Sequence, residues 1–353
     1  MAAHIQIAAG DEPEVSASVP TLADVARHAG VSLATASRAL NGSTRTVNPE
    51  LKAKVEASAR QLHYTANAQA QAVARGTSRT VALVLGDIAD PYFSAIAAGV
   101  ADAAARHRLV VTMSTAGTDP DHVVETIAAL RGQRPTAVIV VGSRYVDDAT
   151  EAAIADELRA VEGQGGSVAL IGARANGFRA VPVLNDEGAS DLAQALVGLG
   201  YRDFAVLAGP AGLTTAADRA RGFRDGLARH SIRLGDASFV TGGFTRNAGY
   251  RDMGALLDAG IRPECVFAVT DVMAVGAMTA MRERGLTPGA DIAVAGFDDI
   301  EMLQDVVPSL TTVSLPLREL GERSLELALA EVPPELEPFR GEVTLRDSTP
   351  SRV

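Results

Sequence analysis

Apolar residues along this chain recur in two different rhythms. From Thr21 to Tyr64 they fall at helical spacing in three short segments. Leu22, Val25, Ala26 and Ala29 share one face of the first, with Thr21 placed to cap it and Asp24 at its positive end. Gly30 follows, where the helix must stop and the backbone turns to a positive φ. Ser32 caps a second helix from Leu33 to about Leu40, with Val31, Ala36 and Leu40 facing inward. Asn48 and Pro49 open a third, with Leu51, Val55 and Leu62 on one face. Two helices joined by a tight glycine turn form a helix-turn-helix, whose second helix can enter the DNA major groove.

From Val81 the rhythm changes to short unbroken apolar runs, VALVLGDI, LVVTMST, TAVIVVG and SVALIG, suited to buried parallel strands. Helical stretches separate them at Phe93–His107, Asp119–Arg131 and Asp148–Glu162. A second series follows, VPVLN, DFAVLAG, DASFVTG, ECVFAVT and DIAVAGF, with helices over Glu187–Leu199, Thr214–Arg229, Asn247–Ala259 and Met273–Arg284. Parallel strands with helical crossovers form doubly wound α/β sheets, and two series predict two such sheets. The expected fold is therefore an all-α headpiece followed by a two-lobed α/β region.

Charge sharpens this division. The whole chain carries 32 Lys+Arg against 43 Asp+Glu, yet residues 20–80 carry eight basic groups against three acids (Asp24, Glu50, Glu56). The positive field belongs to one small module, as phosphate binding requires. Residues 1–19 have neither the basic start nor the apolar core of a secretory signal and read as a disordered tail. No apolar run approaches the ~18 residues of a membrane span. The lone Cys265 forbids an intrachain disulfide and fits a reducing cytoplasm; it lies in an apolar run, as a buried thiol would. Residues 66–80 separate headpiece and core. Ala68–Arg75 could form a short alanine-rich helix, marginal alone, so the segment reads as a flexible linker or as a hinge that becomes helical on DNA.

The segments LADVARHAGVS, TASRALNG, VNPELKAKV and QLHYTANAQAQAVARG resemble, in order and spacing, the headpiece of the lactose/galactose repressor family of bacterial transcription regulators. DIADPYFSAIAAGV, GYRDFAVLAGP, RARGFRDGL, FAVTDVMAVGAM, VAGFDD and PSLTTVSLPLRELG resemble the ligand-binding core that those repressors share with periplasmic sugar-binding proteins. The resemblance covers almost everything from residue 20 onward. It implies a helix-turn-helix domain at 20–65, a hinge at 66–80 and an effector-binding and dimerisation region at 81–353. That region would divide into an N-terminal subdomain of about 81–175 plus 299–314 and a C-terminal one of about 176–298 plus 315–353. It also implies operator DNA, a homodimer and a small-molecule effector, most simply a carbohydrate, as partners.

On the DNA side, the resemblance places Leu33 and Ala34 against base edges. Neither side chain can donate or accept a hydrogen bond, which leaves shape and apolar surface such as a thymine methyl. Arg38, one turn later, can reach guanine or phosphate, while Ser32, Thr35, Ser37 and Asn41 suit phosphates. In the hinge, Asn67 and Gln71 are minor-groove or phosphate candidates. Val73 stands where relatives carry a leucine wedge, and Ala66 where a proline is common.

On the effector side, Arg219 opens an RxxGF pattern whose arginine points into the cleft in the family; its planar fork suits vicinal hydroxyls or a carboxylate. Asp298 in GFDD suits hydroxyl donors. Asp271 is either an effector contact or a helix cap. Tyr92 and Phe93 either stack on a sugar face or pack in the core, and Phe244 matches a cleft-wall position. Asn185 and Asp186 stand in reversed order relative to the family's Asp-Asn pair. Gly172 replaces a common aspartate, and Arg174 lies close enough to substitute for it.

An enzyme is disfavoured: the sequence has no GxGxxG, P-loop, HExxH or GxSxG pattern, so no catalytic group, metal site or cofactor is expected. A free carbohydrate-binding protein would lack residues 20–80 and carry an export signal. Within the DNA-binding reading, a repressor is the leading expectation, with an activator or a factor that answers to no ligand as the alternatives.

Overall fold

The computed structural model describes residues 20–41, 47–65, 78–142, 145–172 and 176–353. The tail and the hinge positions Asn67, Gln71 and Val73 therefore lie outside the described residues, as does Arg174. The chain falls into two compact units, a helical one holding 20–65 and an α/β one holding 78–353.

The first unit packs three helices, α1 (Leu22–Ala29), α2 (Leu33–Asn41) and α3 (Pro49–Gln61). Thr21 and Asp24 form a reciprocal capping box at the start of α1, whose hydrogen bonds hold the Asp24 carboxyl below its usual range. Gly30 closes the helix at φ 65°, a left-handed conformation that costs glycine nothing. Asn48 accepts from the Glu50 N–H to cap α3, with Pro49 beside it. The core is Val25, Ala26, Ala29, Ala36, Ala39, Val55 and Ala59, with Val31, Leu40 and Leu62 against its edge. Leu51 departs from expectation: it is 40% exposed, and Ser58 and Ala59 complete the buried face of α3 instead.

The second unit has the expected doubly wound form. β1 (Thr80–Leu85), β2 (Val110–Thr115), β3 (Ala137–Val141), β4 (Ser167–Ile171) and β5 (Arg179–Val181) pair in parallel in the order β2-β1-β3-β4-β5. The strands β6 (Phe204–Gly209), β7 (Phe239–Thr241), β8 (Cys265–Ala268) and β9 (Ala293–Ala295) form a second parallel sheet, β7-β6-β8-β9. The helices are α4 (Pro91–Arg106), α5 (Pro120–Arg131), α6 (Asp148–Gly163), α7 (Asn185–Gly198), α8 (Thr214–Ala228), α9 (Arg246–Asp258), α10 (Asp271–Glu283) and α11 (Leu317–Leu329). A last pair, β10 (Thr312–Ser314) and β11 (Glu342–Thr344), is antiparallel. Cys265 is buried in β8, and its surroundings push the thiol pKa up.

Alternation along the first sheet decides which helices it needs. Leu83, Ile139 and Ala169 face one core, while Val84, Val138 and Val168 face another. Helices α5 and α6 cover the second face. On the first face α4 reaches β1 and β2, and the remaining strands β3, β4 and β5 are covered by α11. Leu317, Leu320, Ser324 and Leu327 supply its buried stripe. This corrects the subdomain limits implied by the resemblance. Residues 299–314 join the second lobe, through bridges from Ala295 to Thr311 and from Asp298 to Ser314, whereas α11 belongs to the first. Likewise Arg179–Val181, inside the segment assigned to the C-terminal subdomain, pairs with β4, and the expected VPVLN strand of the second series is not formed. The chain thus crosses between lobes after β5, after β10 and after α11.

Candidate effector cleft and DNA-reading helix

The carboxyl ends of the strands carry the cleft, at the switch points where the strand order reverses in each lobe. The two lobes use one device to aim an aromatic ring there. Phe93 in α4 lies over Gly86 at the end of β1, where an added Cβ would stand 2.6 Å from the ring. Phe244 lies over Gly209 at the end of β6, where a Cβ would stand 2.9 Å from it. A larger residue at either glycine would push the ring off the strand end. Tyr92 meets Phe93 edge-on at 5.0 Å, and burial pushes its phenol pKa up.

Arg219 on α8 is 2% exposed and committed on three sides. Its Nε donates to Asn185 Oδ1 at 2.8 Å, one terminal nitrogen to the Val269 carbonyl at 2.8 Å, and the other to Asp298 Oδ1 at 2.7 Å. Its guanidinium lies 3.9 Å from the Phe297 ring centroid, a cation–π contact. Burial drives the Asp298 carboxyl upward, and the charge and hydrogen bond of Arg219 oppose it. Asp298 also holds φ at 121°, a conformation rare for a residue with a side chain; such strain collects at functional sites. A cavity of about 30 Å³ touches this pair, lined also by Asp90, Tyr92, Phe93, Asn185, Phe244 and Thr270.

The structure does not bring Asp271 to this cavity. Its side chain is fully buried, accepting from the Thr312 hydroxyl at 2.6 Å and the Ile300 N–H at 3.1 Å. Nor is it the helix cap: Thr270 caps α10. Asp271 ties the start of α10 to the segment leading into β10, a structural role. Burial, with the nearby Asp298, pushes its pKa up to about 8. A raised folded pKa favours the protonated fold, so the associated stability is full below the ordinary carboxyl range and is lost as pH rises through about 8. Asp271→Asn should therefore flatten the fall in stability between about pH 5 and pH 8. Urea denaturation at both ends of that range checks it; an unchanged slope would refute the assignment.

Three residues escaped the sequence reading of the cleft. Asn185, left undecided, orients Arg219, while its neighbour Asp186 is an exposed partner of Arg221. Asp90 caps α4 through the Tyr92 N–H and lines the cavity, and burial raises its pKa. Asp-Pro at a strand end was the available signal for it. Thr270, a cap with no sequence feature beyond its type, lines the cavity too.

In the headpiece unit, Ser32 Oγ accepts from the Thr35 N–H at 3.1 Å and pairs with the Thr35 hydroxyl at 2.8 Å, fixing the first turn of α2. Leu33, 54% exposed, and Ala34 project from that turn outside the core. Ser37 is half-buried, Arg38 is exposed one turn on, and the side chain of Asn41 lies outside the described residues. An exposed leucine on the leading turn of a helix-turn-helix's second helix is a surface suited to a groove.

A family model described as "Bacterial regulatory proteins, lacI family" matches residues 21–67, and one described as "Periplasmic binding protein-like domain" matches 193–349. The HTH-type transcriptional repressor CytR of Escherichia coli (strain K12) is 30% identical over 318 residues, 88% of this chain and 89% of that protein. This chain belongs to the lacI family of bacterial regulatory proteins. As a lacI-family member it is a DNA-binding transcription regulator and not an enzyme. Among solved structures, the lac repressor dimer bound to operator and the anti-inducer ONPF has a TM-score of 0.78 at 28% identity, covering 94% of this chain and 99% of that one. The transcriptional regulator CelR–cellobiose complex has 0.66 at 27%, covering 93% and 99%. Among the described residues no helix is long and apolar enough to cross a membrane, and no group of His, Cys, Asp and Glu could hold a metal ion.

Proposed function

We propose that this lacI-family protein is a cytoplasmic repressor that binds operator DNA as a homodimer, and that a carbohydrate held between its lobes sets its operator affinity. The carrying observation is the Arg219–Asp298–Asn185 cluster at the cleft, a donor fork and acceptors under aromatic rings from both lobes. That set matches a polyol, which presents alternating donors and acceptors on a flat apolar face. The relatives support it: one is a repressor, one a dimer on operator and one a cellobiose complex. The ligand acts by preferring one angle between the lobes, which biases the hinges that follow each headpiece. Footprinting on the gene's own upstream region, with a panel of sugars added, tests this. Protection that no sugar alters would remove the carbohydrate.

On the DNA side the proposed readers are Leu33, Ala34 and Arg38, with Ser32, Thr35, Ser37 and Asn41 toward phosphates and Asn67, Gln71 and Val73 in the hinge. Arg38→Ala should weaken operator binding by about 1–3 kcal/mol if its contact is bidentate to a base, with the greatest loss on the preferred sequence. A phosphate contact gives a loss that is uniform across sequences and a shallower salt dependence. Equal binding by variant and wild type would exclude both.

A further inference from the structure

The headpiece unit carries basic groups that its own acids leave unpaired. Arg27 pairs with Asp24, and Lys52 with Glu56. Among the described residues no carboxylate pairs with Arg38, Lys54 or Arg60, and all three are exposed. Arg38 stands on α2 one turn after Ala34, and the Lys54 ammonium lies over the turn between α1 and α2, 3.7 Å from where a Cβ would stand at Gly30. The segment joined directly to this unit has the opposite character. Residues 1–19 hold Asp11, Glu12 and Glu14 and no Lys or Arg, with Ile5 and Ile7 ahead of the acids. Glu14 stands seven positions before the α1 cap Thr21, and Asp11 ten positions before it. Chain of those lengths spans at most about 25 and 35 Å, whereas α3, the longest of the three helices, is only about 20 Å long. The acids therefore have the reach to meet α2 and α3, and the tether holds them at an effective concentration on the order of millimolar.

We infer that residues 1–19 are an intramolecular competitor of DNA: Asp11, Glu12 and Glu14 pair with the free basic groups of the headpiece unit when no DNA is bound, and phosphates displace them. The inference rests on the DNA-binding reading above. Phosphate contacts carry no sequence information, and they supply essentially all of non-specific affinity. The acids must be released whatever the sequence beneath the unit, so their cost falls equally on operator and on unrelated DNA. Its effect is a threshold. Weakly held sites fall below occupancy at a given protein concentration, while an operator that adds base contacts stays above it.

The test compares the full-length wild-type protein with the triple variant Asp11→Asn, Glu12→Gln, Glu14→Gln, titrated by fluorescence anisotropy onto a random-sequence duplex. At low salt the variant should bind about three- to tenfold tighter, the gain expected from removing a few exposed ion pairs. The gain should vanish as salt rises and screens them. Glu331→Gln, Glu335→Gln, Glu337→Gln makes the same charge change at exposed acids of the α/β unit and should give no gain. Lys52 and Lys54 are the only lysines in the chain, so carbodiimide coupling of carboxyl to amine reads the contact directly. An amide between a residue of 1–19 and Lys52 or Lys54 should form without DNA and be lost when the duplex is added. Equal affinities, an equal gain in the control triple, or no such amide overturns the competitor and leaves the DNA-binding reading intact. Failure of every protein to bind any duplex overturns both.

Discussion

Arg219→Ala should cost about 3–5 kcal/mol of stability even without ligand, the loss typical when one partner of a buried ion pair is removed. The side chain does more than wait for an effector. It satisfies Asn185 on α7, the Val269 carbonyl after β8 and Asp298 after β9, and it covers the Phe297 ring. Its removal leaves Asp298 as a buried carboxylate with no counter-charge, which then favours the protonated form still more strongly. The cost should therefore shrink as pH falls and the carboxyl takes up a proton. Asp298→Asn added to Arg219→Ala should recover part of it, whereas Arg219→Lys should recover little, because an ammonium cannot span three acceptors in a plane. Urea denaturation of the four proteins measures this, and a loss below about 1 kcal/mol would show that the cluster does not hold the lobe together. Effector response is a separate readout. A bound sugar should stabilise wild type by about 2.7 kcal/mol at a hundredfold excess over Kd, and the alanine variant should lose that shift. Below its melting point the variant should keep operator binding, since residues 20–65 form a compact unit of their own.

Gly276→Ala should destabilise the protein, although the same change at an exposed helix site gains about 1 kcal/mol. Helices α9 and α10 meet backbone to backbone. A Cβ at Gly276 would stand 2.0 Å from the Arg246 carbonyl oxygen, and one at Gly249 would stand 2.1 Å from that of Met273. Neither obstacle is a side chain that can rotate away, so the helices must separate. Overpacking in cores ordinarily costs about 1–3 kcal/mol, and a backbone obstacle places this case at or above the upper end. Gly276→Leu should then prevent folding of the second lobe. Because α9 begins two residues after Phe244, and α10 one residue after Thr270, separating them also displaces two cleft residues. Circular dichroism and urea denaturation report the first effect and sugar affinity the second; a Gly276→Ala protein as stable as wild type would sink the argument.

Much of this was legible because local chemistry and global fold agree. Thr21, Gly30, Ser32, Asn48 and Pro49 punctuate the headpiece by rules that need no tertiary contact. The buried strands announced themselves as unbroken Val, Ile, Leu and Ala runs. Arg219 and Asp298 were found through family likeness. Their mutual hydrogen bond was not, because it joins residues far apart in the chain. What stayed hidden depended on which face a helix covers. The amphipathic run Leu317–Leu329 fits either lobe, and only the uncovered face above β3, β4 and β5 assigns it to the first. Asp271 shows the same limit: its type and position suit a ligand contact, and its fate was decided by Thr312, more than forty residues away in sequence. The glycines at 86 and 209 read as strand ends, while their use as seats for Phe93 and Phe244 is visible only in three dimensions.

The strained backbone at Asp298 has one more consequence. Its N–H donates to the Val313 carbonyl, and its carbonyl accepts from the Leu315 N–H. Leu315 stands two residues before α11, the helix that has gone over to the other lobe. The residue whose carboxylate accepts from Arg219 is thus hydrogen-bonded to the very strand by which the chain crosses between the halves. Asp298 and the crossing segment share one peptide ladder, so a shift of one is felt by the other without a relay of side chains. In the proposed reading, an effector that shifts Asp298 therefore pulls directly on the crossing segment between the lobes.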